Sequence, residues 1–442
     1  MSLEWNDVVL KDVLSEKGYI RGPFGSALKR AEMKSEGIPV YEQQNAIYDN
    51  RIFRYFIDEE KYQSLKRFTT YPDDLIISCS GTVGKVSIIK HDDPKGIISQ
   101  ALLTLRVNKD LILPEFLKYF FSSYEGYNSL VSRSTGSVQV NISKRAVIEE
   151  IPLKLPPLDV QQKIVYYLSL IDKKIGINEK INKNLIAIAK AKFRYSFINY
   201  EDYKGEFKDT DYGVIPETFE VYSLNEMSKN IVCGKTPSTK VESNYGEEMP
   251  FITIPDMHNN VFVINTERRL SLEGIKTQPK KTLPANSVCV SCIATAGLVS
   301  LTFEESQTNQ QINSIICKDN ICPYFMYLYL EELSEYIKLL GSGGSTTLNL
   351  NKNEFSKIKV AIPPQEDMDK FHRFVKPIFE KIKYNQLEII ELQNLRDTLL
   401  PKFMSGEIDV SEINCDMPPK TQENCINNFT SLQQNKLVEV II

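Results

Sequence analysis

Two stretches of the chain repeat a hydrophobic position at alternating steps of four and three. In residues 159–197 the series runs Ile164, Leu168, Ile171, Ile175, Asn178, Asn182, Leu185 and Ala189. That is the seam spacing of a coiled coil rather than the broader stripe of a surface helix. The stretch holds no proline, and Gly176 is its only glycine, so no breaker interrupts the helix. Adding 207 to each number returns the seam as Phe371, Val375, Ile378, Ile382, Asn385, Ile389, Leu392 and Arg396. Both copies place an asparagine, Asn178 or Asn385, at the same seam position. A buried seam asparagine lowers stability and is most useful for fixing register between helices. Helices of about 38 residues would each run about 57 Å at a rise of 1.5 Å per residue.

Outside these helices the pattern is that of short strands. IPVYEQ, LIISCSG, KVSIIK and ALLTLRV are β-rich runs separated by Gly, Asn, Asp and Pro turns. PEFLKYFFSS predicts one helix with Pro114 in its first turn. A mixed α/β or α+β domain follows.

This pattern too is written twice. Trp5–Leu10 matches Phe219–Leu224, Gly22 matches Gly234, and the run from Gly37 matches the run from Glu248. DLIISCSGTVGKVS, from Asp74, matches SVCVSCIATAGLVS, from Ser287, pairing Ser78 with Ser291, Cys79 with Cys292, Thr82 with Thr295 and Gly84 with Gly297. Pro114–Leu117 matches Pro323–Met326. STGSVQVNISK matches GGSTTLNLNK, so that Asn141 pairs with Asn349 and Lys144 with Lys352. Pro156-Pro157 and Pro363-Pro364 close the two copies just before the long helices and favour extended backbone there. The predicted segments are globular halves at 1–155 and 213–362, long helices at 156–200 and 363–406, and a polar linker at 201–212. The tail 407–442 loses periodicity and gathers Asn, Gln and Pro, the composition of a disordered or peripheral segment.

A length of 442 residues calls for two or three domains. No apolar run approaches the roughly 20 residues that span a bilayer, and MSLEWNDVVLKDV lacks the plan of a signal peptide. A cytoplasmic protein without a membrane partner is therefore expected. The net charge of −4 argues against non-specific coating of nucleic acid. Locally basic loops remain: Arg133, Lys144 and Arg145 in one, and Arg268, Arg269, Lys276, Lys280 and Lys281 in another. Cys289 and Cys292 form the only C-x-x-C; the histidines, His91, His258 and His372, are scattered. Buried free thiols on a strand are the better reading than a metal site.

SGTVGK (Ser80–Lys85) has only two residues between its glycines, and Val86 stands where a phosphate-binding loop needs Ser or Thr. It reads as strand-turn-strand. LPPL (Leu155–Leu158) lacks the Asn or Asp and the aromatic with which an amino-methyltransferase holds a flipped base. With no nucleophile-base or metal-nuclease constellation in sight, no enzymatic activity and no metal are expected of this chain.

What remains are polar loops in equivalent positions of the two copies. The first offers Lys29, Arg30, Gln43, Gln44, Asn45, Thr82, Lys85, Arg133, Ser134, Thr135, Ser137, Gln139 and Lys144. The second offers Lys235, Thr236, Lys240, His258, Asn259, Ser342, Ser345, Thr346, Asn349 and Lys352. Cations suit phosphate contacts, and amides and guanidinium groups suit base edges. Solvated loops with capping residues are the plainer alternative.

The opening at Trp5, the SGTVGK and CIATAG turns, STGSVQVNISK, LPPLDVQQKIV and LLPKFMSGEI occur in one order and mostly twice. In that order they resemble the specificity subunits of type I restriction-modification systems, over roughly residues 1–410. The resemblance implies an α+β fold: two pseudo-repeated mixed α/β target-recognition domains separated by a long antiparallel two-helix coiled coil. It implies a non-catalytic chain that binds double-stranded DNA, each domain reading one half of a split target. The helices would set the spacer and dock methyltransferase subunits, two of them, and restriction subunits would join. No cofactor is implied on this chain; S-adenosylmethionine would sit on the methyltransferase. QQK (Gln161–Lys163) becomes MDK (Met368–Lys370) in the second copy, which questions exact symmetry of docking. A coiled-coil scaffold whose globular halves bind protein is the alternative.

Overall fold

The computed structural model describes residues 5–24, 27–133, 140–341 and 349–410. Chain contacts divide it into two compact units, Met1–Ser169 with Arg396–Ile442, and Leu170–Leu395. Each unit therefore combines a globular half with a portion of both long helices, Leu158–Phe197 and Gln365–Ser405.

The strands of the first unit are β1 (Asn6–Val9), β2 (Leu14–Arg21), β3 (Ile38–Tyr41), β4 (Phe56–Ile57), β5 (Leu75–Ser78), β6 (Val86–Ile88), β7 (Ile97–Ile98), β8 (Leu102–Val107), β9 (Val131–Arg133), β10 (Val140–Ile142) and β11 (Pro152–Leu155). An antiparallel sheet runs in the order β2-β8-β5-β6, and beside it lies β4-β3-β7 with β3 and β7 parallel. β5 explains its own unbroken apolar run, since it is covered on both faces. Leu75 and Ile77 face a core with Phe116, Phe121, Ile164 and Leu168, whereas Ile76 faces Tyr41, Ala46 and Ile98. The predicted helix forms as Pro114–Ser122 with Pro114 opening it.

β1 pairs with β11, so the strand that opens the unit is tied to the one that leads into the first long helix. Gln161, fully buried in that helix, fastens the joint. Its Oε1 accepts the Leu113 N–H (2.9 Å) and its Nε2 donates to the Leu111 and Pro156 carbonyls (3.0 and 2.9 Å). Tyr167 stacks on Phe403 from the end of the second long helix, with ring centroids 6.3 Å apart. Gly406, at φ +75°, then turns the chain against Trp5, and Ile408 and Val410 join the core.

The second unit repeats the plan with β12 (Phe207–Thr210), β13 (Gly213–Pro216), β14 (Glu220–Ser223), β15 (Ser228–Cys233), β16 (Tyr245–Ile252), β17 (Phe262–Val263), β18 (Arg268–Leu270), β19 (Val288–Ser291), β20 (Val299–Thr302), β21 (Gln307–Thr308), β22 (Ile312–Cys317) and β23 (Lys359–Ile362). Its main sheet is β15-β22-β19-β20-β17, flanked by β18-β16-β21, and β14 pairs with β23 as β1 does with β11. Val288 and Val290 of β19 face Phe325, while Cys289 between them faces Ile252 and Ile312.

The long helices run antiparallel through this unit: Asn178 Nδ2 donates to Glu388 Oε2 (2.8 Å) and Asn385 Nδ2 to Asn182 Oδ1 (2.8 Å). Further along, Phe193 and Phe197 meet Phe371 with centroids 5.9 and 5.0 Å apart. The two seam asparagines are buried and bond across the seam, each to a neighbour of the other. Of the seam positions, Ile164, Leu168, Ile175, Phe371, Val375 and Ile382 are buried, and Ile171, Leu185, Ile378 and Leu392 are half-buried. Beside Ile378 the fully buried residue is Phe379, which stacks on Tyr324 at 4.3 Å. The helix there must serve the globular core as well as its partner helix, which widens the apolar stripe. Gln386 also grips the edge strand β17, exchanging two 3.1 Å hydrogen bonds with the Phe262 backbone. The fold is thus α+β, a strand-rich unit written twice with each copy leading into a long helix.

Candidate nucleic-acid interface

The SGTVGK segment is a tight turn between β5 and β6, and its second-copy counterpart joins β19 to β20 in the same geometry. Ser78, fully buried, donates its hydroxyl to Thr82 O (2.6 Å) and accepts the Lys85 N–H (3.0 Å). Ser291 likewise donates to Thr295 O (2.6 Å) and accepts the Leu298 N–H (2.9 Å). Gly84 and Gly297 take φ of +82° and +88°, the left-handed region that glycine enters without strain. The backbone is therefore common to both copies, but the side chain that closes it differs: exposed Lys85 in one, and in the other Leu298, half-buried against the core around Cys289. Thr82 and Lys85 are exposed.

Around the first turn, four chain segments meet at one end of the sheet. Gly22, just past β2, lies so close to Ser99 that a Cβ would sit 1.9 Å from its carbonyl oxygen. The Ser99 N–H donates to Tyr41 O (2.8 Å), which leads into helix Gln43–Ile47, and a Cβ on Gly81 would lie 3.6 Å from Gln43 Nε2. Burial raises the pKa of Cys79, directly before the turn, to about 11, against the pull of the Arg21 guanidinium. Arg21 Nη1, Gln43 Oε1 and Ser99 Oγ are buried atoms without a hydrogen-bond partner. No carboxylate pairs with Arg21 among the described residues; the Phe24 ring, 67% exposed, covers its guanidinium at 5.9 Å.

The other candidates divide by what holds them. Asn45 is fully buried: its Oδ1 accepts the Glu42 N–H (2.7 Å) and its amide donates to Ile52 O (3.1 Å), so it shapes the loop from within. Gln44 also donates to Ile52 O (3.1 Å). Asn259, at φ +62°, turns the chain beside exposed His258. Thr236 donates to Gln310 Oε1 (2.6 Å), joining KTPSTK to the segment before β22. Lys29, Arg30, Lys85, Lys144, Lys235, Lys240 and Lys352 are exposed and form no ion pair among the described residues, as suits phosphate contacts. Arg145, by contrast, is paired with Glu149 (2.8 Å). Asn349 bridges to Ile293 of the second turn. The backbone of Arg133 lies in β9; Ser134, Thr135, Ser137, Gln139, Ser342, Ser345, Thr346 and the tail from 411 lie outside the described residues.

Arg21, Ser99 and Gln310 lie outside the polar loops that the sequence marks. Arg21 directly precedes a matched glycine, which was the one available signal. Nothing local marks Ser99 or Gln310, because their neighbours at this sheet end come from distant segments. Cys289 and Cys292 are buried thiols, raised by burial to about 12 and about 11. No group of three or more His, Cys, Asp or Glu able to hold a metal occurs among the described residues. No described helix is long and apolar enough to cross a membrane.

A family model described as "Type I restriction modification DNA specificity domain" matches residues 3–186 and 216–394. The type I restriction enzyme HindI specificity subunit of Haemophilus influenzae is 33% identical over 387 aligned residues, covering 74% of this chain and 84% of the relative. The MjaIX specificity subunit of Methanocaldococcus jannaschii is 28% identical, covering 70% and 72%. The crystal structure of a type I restriction-modification S subunit from M. genitalium shares the fold, with a TM-score of 0.53 at 15% identity, covering 91% of this chain and 96% of that one.

Proposed function

The chain belongs to the type I restriction-modification DNA specificity family, and from that premise we propose that it selects the DNA sequence on which a methyltransferase acts. Each globular half reads one part of a split target. One observation carries this reading: the two turns share a backbone, but the side chains in them and beside them differ in charge and polarity. Arg21 and Lys85 in the first copy correspond to Cys233 and Leu298 in the second. A common scaffold with exchanged surface groups is what reading two different half-sites requires.

On this reading the long helices, 40 and 41 residues, are each about 60 Å long and set the unread spacer. Their outer faces dock methyltransferase subunits, two by the pseudo-symmetry of the repeat. S-adenosylmethionine sits on those subunits, restriction subunits complete the nuclease, and this chain contributes recognition without catalysis in the cytoplasm. The test is to express the chain with a type I methyltransferase subunit and sequence the methylome. A split motif is expected, one half of which changes when residues 1–150 are exchanged for those of a relative. Unchanged methylation after that exchange sinks the proposal.

A further inference from the structure

The cluster at the end of the first sheet holds its unpartnered atoms in a particular chemical balance. Arg21 Nη1 is a donor without an acceptor, Gln43 Oε1 an acceptor without a donor, and Ser99 Oγ can serve as either. Buried polar atoms of folded proteins are nearly always bonded, and these three come from separate segments meeting around Cys79 and Gly81. The three atoms are buried, but the residues that carry them are half-buried, with Arg21 against the exposed Phe24 ring, so an incoming group reaches them by shifting surface side chains and not by entering the core. The second copy carries a different set: Cys233 and Ile254 stand where Arg21 and Gln43 do, and the buried unpartnered atom against Gly234 is a hydroxyl, Thr308 Oγ1. Asn309, which packs on Gly234 as Ser99 does on Gly22, is satisfied by two 3.0 Å bonds with Gln311.

We infer that Arg21, Gln43 and Ser99 form a base-reading pocket of the first half, and that the pocket takes a G·C pair. In the major groove guanine presents two acceptors, O6 and N7, to which arginine donates; its paired cytosine presents the N4 amino donor that Gln43 Oε1 lacks. An A·T pair offers arginine no matching pair of acceptors. The exposed Phe24 ring, lying against the guanidinium, closes the pocket's outer side. This inference rests on the family reading above but makes a narrower claim.

The experiment compares methylomes of cells expressing the full chain with its methyltransferase, as the unsubstituted protein and as Arg21→Ala, Arg21→Lys and Gln43→Ala. Circular dichroism melting of each purified variant checks folding. If the unsubstituted chain gives no split motif, the proposed function fails and this inference with it. If the motif is split but the half governed by residues 1–150 contains no G·C pair, only the inference fails. The expected result is that Arg21→Ala relaxes one G·C position of that half, with at least a tenfold rise in methylation of sites altered there, and leaves the other half unchanged. Arg21→Lys should relax the same position less than Arg21→Ala, since a flexible ammonium lacks the planar fork that fixes the paired contact. Gln43→Ala should relax it more weakly. An unaltered motif, or a uniform loss across both halves in variants that melt like the parent, assigns Arg21 to packing or phosphate and overturns the inference.

Discussion

Ser78→Ala isolates the turn that carries the first unit's polar groups. The hydroxyl donates to Thr82 O at 2.6 Å and accepts the Lys85 N–H at 3.0 Å. Its removal loses two neutral hydrogen bonds, each worth about 1 kcal/mol net, and rather more if the Lys85 N–H stays away from water. The turn should loosen by about 2–3 kcal/mol, while the rest of the sheet keeps its ladder. Because each 1.4 kcal/mol is a factor of ten, the Lys85 amide should exchange roughly 30- to 140-fold faster. Hydrogen–deuterium exchange of peptides covering 75–90 reads this directly. Ser291→Ala should act to a similar extent on Leu298, with no effect in the first unit. In the methylation assay each variant should degrade only its own half-site. Equal exchange at Lys85 in parent and variant would show that neighbouring contacts hold the turn, and would refute the assignment of Ser78 as its organiser.

Gln161→Leu leaves three backbone groups without their partner in a fully buried joint, so a loss of about 2–4 kcal/mol in urea unfolding is expected. Gln365→Ala in the second copy should lose less than about 1 kcal/mol, because Met368 fills the equivalent buried site and Gln365 makes only exposed hydrogen bonds, donating to Asn320 O (3.1 Å) and Asp369 Oδ1 (2.8 Å) and accepting from Asn320 Nδ2 (3.4 Å). Asp74 is buried and bidentate with Arg106 (2.7 and 2.8 Å); burial raises its pKa, while Arg106 and the Tyr71 N–H lower it. A carboxyl with a raised folded pKa loses stability as pH rises from its unfolded toward its folded value. Arg106→Gln removes the charge that offsets burial, so its destabilisation, about 3 kcal/mol at pH 8, should shrink toward pH 4 in melting curves. A pH-independent loss would rule this account out. Inserting seven residues into both long helices should lengthen the unread spacer and leave both half-site sequences intact; altered half-sites would contradict the division of labour.

Some of this architecture was legible because it is local. The strand LIISCSG forms as β5 because an unbroken apolar run is what burial on both faces demands, and PEFLKYFFSS becomes a helix opened by Pro114. The turn of SGTVGK followed from glycine spacing alone. Asn45, read as a possible base contact, is instead consumed inside its loop. An amide that faces DNA and one that braces a loop look identical in sequence. Arg21 is illegible in the sequence for the converse reason: a single arginine beside a glycine carries no pattern.

By itself the sequence determined the duplication, the antiphase of strands and turns, and the heptad seams with their paired asparagines. Each is a periodicity or a self-match, and both are properties of order along the chain. Only the tertiary structure decided how the seam asparagines bond, with Asn178 meeting Glu388 and Asn385 meeting Asn182. It also decided that Arg21, Gln43 and Ser99 meet at one turn. That meeting depends on the sheet order β2-β8-β5-β6, in which neighbours in space are distant in the chain. Hydrogen-bond demand left open at such a junction is invisible until the strands are paired.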